Sequence, residues 1–232
     1  MCNRYNTPDE IEMERHFRIG RDAPNRWWNT VVTPLATGPY ITPGGQLVAG
    51  QWGMIPHYSK TRVPVDAHGK RLSTNNARRE SLATRQTFAR SWKAGRRCLI
   101  PAANWLEPYW GLGTRNIWWA IRRADGKPAA LAGLYSEWTD HATGEVVPNF
   151  TMITQPADGH PLLALMHRPQ KEKRAVVMLE PEDWDAWLHG SIDQADSLIK
   201  LPAPGLLVSG AEKPEEEGLL PPAEAQALHA AG

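Results

Sequence analysis

The chain has 232 residues, 41% hydrophobic and 22% charged, which suffices for one well-packed domain. No stretch approaches the ~18 consecutive apolar residues of a membrane span, and the opening MCNRYNTPDEIEMERHF lacks the basic-then-apolar pattern of a secretory signal. A cytoplasmic monomer with no membrane association is expected; Cys2 and Cys98 are expected as free thiols, with no metal and no cofactor.

In chain order, Thr7 as N-cap, Pro8 in the first turn and early acids predict a short helix over residues 8–17. Residues 18–45, rich in Pro, Gly and Thr, predict short strands and loops. A helix is predicted over 78–92, where Leu82, Ala89 and the Phe88/Trp92 pair share one face and Arg78 and Arg85, seven apart, share a basic stripe. Strand-like runs follow at 98–105, 117–122, 128–138, 149–154 and 174–179. Ala124-Asp125-Gly126 joins the second run to the third and predicts a type I′ hairpin, whose central residues need positive φ.

Helices are predicted over 181–188, with Pro181 at the start, Gly190 past the end and Trp184, Trp187 and Leu188 on one face, and again near 192–200. Beyond Gly210, five acids, three prolines and few core residues predict a mobile or loosely docked tail. The division is one domain over 1–209 and an acidic, Pro-rich tail over 210–232. Strands without regular intervening helices, and no glycine fingerprint for phosphate, make the class α+β, with a curved, mostly antiparallel sheet or partial barrel and flanking helices.

The net charge of +1 hides an uneven distribution: from Lys60 to Arg97 there are eleven basic residues against Asp66 and Glu80. That segment is either a footprint for a polyanion or a solvated face balanced by acids elsewhere. Of eleven tryptophans, most are expected in the core and some as stacking surfaces for unpaired bases. Cys2 follows Met1, and a small second residue is the circumstance in which initiator methionine is removed. Removal leaves an α-amine (ordinary pKa ~7.7–8.0) and a thiol (~8.5) on adjacent carbons. Such a 1,2-aminothiol condenses with an aldehyde to an imine and then closes a thiazolidine ring, which an internal cysteine cannot do.

Cys2-Asn3-Arg4-Tyr5, Trp52-Gly53-Met54-Ile55-Pro56, Asn76-Ala77-Arg78 with Glu80, Trp105-Leu106-Glu107 and Met166-His167-Arg168 occur in one order and spacing. On this ordered set, over residues 2–190, the chain resembles the SOS response-associated peptidase (SRAP) family, whose members crosslink to abasic DNA. The resemblance implies Cys2 as nucleophile, Asn76 orienting the crosslink, Glu107 transferring protons and His167 opening the sugar or shuttling protons; His160 is a weaker competitor for the histidine role. It implies phosphate binding by Arg4 and Arg78, extended by Arg85, Arg90 and Lys93. It also implies a rim against the bases at Trp52, Pro56 and Tyr58, of which Tyr58 is the one expected to be exposed. Cys98, within an apolar run, is expected as a buried small hydrophobe.

The chain departs from the family where Asn3 replaces the usual Gly, where Pro108 follows Glu107, and where Arg168-Pro169-Gln170-Lys171-Glu172-Lys173 replaces the usual Arg-Met-Pro after the histidine. The expected function is covalent capture of abasic sites in single-stranded DNA, with Cys2-dependent self-processing peptidase or lyase activity on the same residues. The alternatives are a non-catalytic single-stranded DNA binder and an N-terminal nucleophile cysteine hydrolase.

Overall fold

The computed structural model describes residues 2–19, 27–111, 115–220 and 222–231, with the backbone alone for 222–225. Its elements are β1 (Arg4–Asn6), α1 (Glu10–Phe17), β2 (Val31–Val32), β3 (Thr37–Ile41), β4 (Leu47–Trp52), β5 (Asn76–Arg78), α2 (Gln86–Lys93), β6 (Arg97–Ala102), β7 (Asn104–Tyr109) and β8 (Ile117–Arg123). There follow β9 (Ala129–Thr139), β10 (Val146–Pro156), β11 (Arg174–Val176), β12 (Met178–Leu179), α3 (Trp184–His189), α4 (Ile192–Ser197), β13 (Leu207–Ala211), α5 (Pro214–Glu217) and α6 (Pro222–Ala230).

Two sheets carry the fold. Strands β3, β4, β10, β9 and β6 pair in a ring that closes on itself, antiparallel throughout except for the parallel β4–β10 contact. β5 and β11 extend β10, and β12 extends β9. The second sheet is open and antiparallel, in the order β13-β8-β7-β1-β2. The expected α+β class, with a barrel-like sheet and flanking helices, describes this architecture.

Alternation along the barrel strands feeds two cores, because successive side chains point to opposite faces. Cys98, Ile100, Leu131, Phe150 and Met152 join Tyr5, Trp105, Trp119 and Ile121 of the open sheet in one core. Their neighbours Leu99, Ala132, Leu134 and Ile153 pack with Phe88 and Trp92 of α2 and Trp187 of α3 in the other. Gly38 admits the close approach of Tyr5: a Cβ there would overlap the Tyr5 hydroxyl. Trp52, Trp92, Trp105, Trp119, Trp138 and Trp187 are all buried, so six of the tryptophans are core.

Several local expectations are corrected. Helix α1 starts two residues later than predicted, because the Asp9 carboxylate, not Thr7, accepts from Glu12 N at 2.7 Å. The single helix over 78–92 is replaced by β5, a 3₁₀ turn at Arg79–Ser81 and α2, so Arg78 and Arg85 share no helical stripe. The run 98–105 divides at Ala103, whose N–H donates to Asn6 O at 2.8 Å as the chain passes from barrel to open sheet. Asp125-Gly126 makes no hairpin: β8 pairs with β7 and β13, while β9 pairs with β6, β10 and β12. Gly126 has the expected positive φ of 74°, but the turn carries the chain between sheets whose edges are already taken.

The run 174–179 is interrupted at Val177, whose N–H donates to Ile153 O while its carbonyl accepts from Ala132 N, so the strand changes partner there. Past residue 209, β13 continues to Ala211 on β8, and Leu220 and Leu228 are buried in the first core, so the segment expected to be loosely docked packs against the sheet. Of residues 18–45, the stretch 20–26 lies outside the described residues.

Candidate active site

Strand β7 is the spine of the site. Its antiparallel register with β1, Arg4↔Leu106 and Tyr5↔Trp105, lays the chain ahead of Arg4 beside Glu107. The other end of β7 holds His167: Tyr109 bridges Met166, and His167 N donates to Pro108 O at 2.7 Å. His167 has φ of 66°, a left-handed conformation that a non-glycine residue adopts only when surrounding contacts hold it. Those contacts include the Lys173 ammonium, which donates to the carbonyls of Met166, His167 and Arg168 at 2.7, 2.8 and 3.3 Å. Lys173 thereby ties the histidine turn together.

The third wall comes from the barrel. β5 pairs with β10, Asn76 opposite Met152, and Asn76 Nδ2 donates to the Cys2 carbonyl at 2.7 Å. Asn75 adds a second donor: its Nδ2 lies 3.2 Å from both Cys2 O and Asn3 Oδ1, and Ser73 Oγ donates to Asn75 Oδ1 at 3.0 Å, fixing which end of the amide faces Cys2. The Trp52 indole donates to Asn75 O at 2.8 Å. Trp52 and Pro56 are buried, which corrects their expected place on a rim against DNA bases; Trp52 braces the asparagine pair instead. Tyr58 is 49% exposed.

Cys2, Glu107, Asn76 and His167 are all buried. Burial pushes the Cys2 thiol well above its ordinary value, and the Glu107 charge adds to that. Burial also raises Glu107 to about 7 and lowers His167 to about 4. The two side chains are 3.4 Å apart, His167 Nε2 to Glu107 Oε2, but with both charged forms disfavoured the contact is not an ion pair at neutral pH. His167 Nε2 also lies 2.9 Å from Arg174 O; a carbonyl only accepts, so Nε2 carries the hydrogen. Asn76 Oδ1 has no hydrogen-bond partner among the described residues, and the Cys2 thiol meets the Glu107 carboxyl and favours its charged form. The arrangement is a buried cluster of a thiol, a carboxyl that burial raises to about 7 and an imidazole whose charged form burial disfavours.

The remaining expected residues lie further out. Arg4 is ion-paired with Glu212 and stacks over Trp118, 4.8 Å from the ring centroid. Arg78 pairs with Glu172 at 2.8 Å. Arg85 is exposed at the N-cap of α2, over the Phe88 ring. His160 is remote in role: its Nδ1 accepts from Leu162 N and Leu163 N, closing the turn that leads to Met166. Cys98 is a fully buried free thiol in the core. The basic run from Lys60 to Arg97 is partly structural, since Arg97 is buried against the carbonyls of Trp187 and Gly190 and Arg79 grips Asp196. No group of three His, Cys, Asp or Glu side chains among the described residues is arranged to hold a metal, and no described helix is long and apolar enough to cross a membrane.

Asn75 and Lys173 escape the motif reading. An Asn-Asn pair offered a weak signal for the first; nothing in the sequence places a lysine six residues from a histidine onto three carbonyls.

Comparison with known proteins agrees with this architecture. A crystal structure of a protein from Bordetella bronchiseptica superposes with a TM-score of 0.80 at 32% identity, covering 91% of this chain and all of that one. One from Bacteroides thetaiotaomicron gives 0.77 at 18% identity, covering 98% of each chain. A phage-related protein from Bordetella bronchiseptica gives 0.63 at 18% identity, over 91% of this chain and 94% of that one. At 18% identity the likeness is one of fold. A search of curated proteins gives no match. Residues 1–208 match the family described as SOS response associated peptidase (SRAP), and the chain belongs to that family.

Proposed function

We propose that the protein captures abasic sites in single-stranded DNA covalently, through the amine and thiol of Cys2 once Met1 has been removed. Membership of the family supports an abasic-site role in the response to DNA damage in general. The observation that carries the finer reading is the convergence of Cys2, Asn76, Glu107 and His167 in one buried cluster where the two sheets meet.

The steps balance. Neutral His167 helps open the sugar hemiacetal by accepting the hydroxyl proton and returning that same proton to the ring oxygen as its bond to the anomeric carbon breaks, which leaves the aldehyde and a neutral imidazole. The Cys2 amine then adds to the aldehyde carbon, and the resulting carbinolamine loses water as protonated Glu107 supplies a proton. The thiol, held protonated by burial, passes its proton to the Glu107 carboxylate as sulfur bonds the same carbon and the iminium electron pair returns to nitrogen. The sum is aldehyde plus aminothiol giving thiazolidine plus water. A carboxyl near 7 is matched to giving a proton in one step and taking one in the next. Arg4 and Arg78 hold the flanking phosphates, and exposed Tyr58 offers a stacking face. The N-terminal nucleophile hydrolase reading is less well supported, because the two amide donors beside Cys2 are spent on its own carbonyl instead of facing an oxyanion.

The test is a denaturing gel of protein incubated with a single-stranded oligonucleotide bearing one abasic site. Wild type gives a heat-stable adduct; Cys2→Ala gives none while still binding the strand. A lesion analogue that lacks the aldehyde gives none with either protein. An adduct that survives Cys2→Ala contradicts the proposal.

A further inference from the structure

Both guanidinium groups that would meet the DNA backbone already hold a carboxylate. Arg4 is ion-paired with Glu212, and Glu212 is held in register by its own N–H, which donates to Trp118 O at 2.8 Å. Trp118 also carries the Arg4 guanidinium on its ring. Arg78 Nη1 meets Glu172 Oε2 at 2.8 Å, and the other oxygen of Glu172 is 2.6 Å from Nη1 of the buried Arg174, so that acid is anchored from behind. Glu172 lies in the segment after His167, and Glu212 lies past residue 208, where the family match ends.

A carboxylate offers a guanidinium fork two oxygens much as a phosphodiester does. The two pairs remain partly open to solvent, with Arg4 and Glu212 side chains 23% and 33% exposed and Arg78 and Glu172 44% and 43%. Pairs in that setting contribute little net stability, so an incoming phosphate displaces the carboxylate at modest cost. We infer that Glu172 and Glu212 are specificity-determining residues that compete internally with DNA phosphates for Arg78 and Arg4. They weaken retention of undamaged strands, so that residence on DNA depends on the aldehyde reaction at Cys2. This rests on the capture reaction proposed above.

The experiment measures binding of a lesion-free single-stranded thymidine oligonucleotide at low salt. It compares wild type, Glu212→Gln, Glu212→Gln with Arg4→Ala, and Glu182→Gln, which makes the same charge change at an exposed site on the turn before α3. Crosslinking of wild type to the abasic oligonucleotide is followed in parallel. Glu212→Gln is expected to bind about two- to five-fold tighter than wild type and to exceed Glu182→Gln, with the gain lost when Arg4 is also removed. A gain no larger than that of Glu182→Gln, or one that survives loss of Arg4, overturns the inference while wild-type crosslinking leaves the capture reaction standing. A wild type that neither binds nor crosslinks overturns both.

Discussion

Glu107 is buried and its carboxyl is raised by that burial to about 7, so ionising it costs the folded protein stability. The unfolded chain ionises that group near its ordinary value, and wild type therefore loses stability as pH rises from about 4.5 to about 7. His167, lowered to about 4, acts in the opposite sense: stability is lost as pH falls from about 6.5 towards 4. The two effects largely offset between those limits. Glu107→Gln removes the first, so its melting temperature should climb with pH from 4 to 6.5, and above pH 7 its unfolding free energy should exceed that of wild type by up to about 3 kcal/mol. Parallel melting profiles for the two proteins from pH 5 to 8 would contradict this. Asn75→Ala removes one of two donors on the Cys2 carbonyl and the partner of Asn3. Single-turnover capture should slow ~10-fold while affinity for undamaged strand stays within about two-fold; an unchanged rate leaves Asn75 without a positioning role. At this scale the sequence pointed to four residues that the fold brings together, Cys2, Asn76, Glu107 and His167, because they sit in short ordered motifs. It concealed Asn75, Lys173, Glu172 and Glu212, whose roles depend on what the fold brings opposite them.

The elements were legible where the periodicity had one cause and misread where two causes overlapped. The runs read as strands at 117–122 and 128–138 carry clear alternation and form β8 and β9, while the proline and glycine signals over 181–188 give a 3₁₀ turn at Pro181–Asp183 followed by α3. The stretch 78–92 contains helix-compatible spacing, but β10 has an open edge beside Asn76 and takes residues 76–78 as a strand first. Asp125-Gly126 has hairpin chemistry, yet register with β7 and β6 gives β8 and β9 better partners. The C-terminal segment looked expendable because its acids outnumber its leucines, and its hold on the sheet consists of few residues: β13 on β8, with Leu220 and Leu228 buried. Truncation after Leu206 uncovers the β8 edge and removes three buried leucines, at ~1.5–3 kcal/mol each. The truncated protein should show a clearly lowered midpoint of urea unfolding and a tendency to associate through the bared strand. An unchanged midpoint would mean that the segment does not support the fold.

Across the whole molecule, the open sheet supplies Cys2 and Glu107, the barrel supplies Asn76, and the segment between β10 and β11 supplies His167, so the buried cluster forms where the two sheets meet. That explains why composition and charge spoke only weakly to function: a net charge of +1 and a basic run with two of its arginines built into the scaffold describe neither the cluster nor its guarded flanks. The central claim is that a freed Cys2 amine and its thiol both bond one aldehyde carbon. The most direct measurement is the intact mass of the protein before and after incubation with a single-stranded oligonucleotide bearing one abasic site, with borohydride added to half of the product. The account predicts a starting mass without Met1 and an adduct equal to protein plus oligonucleotide less one water, unchanged by borohydride because no imine remains to be reduced. Retained Met1 with no adduct, or an adduct that takes up two hydrogens, would contradict it.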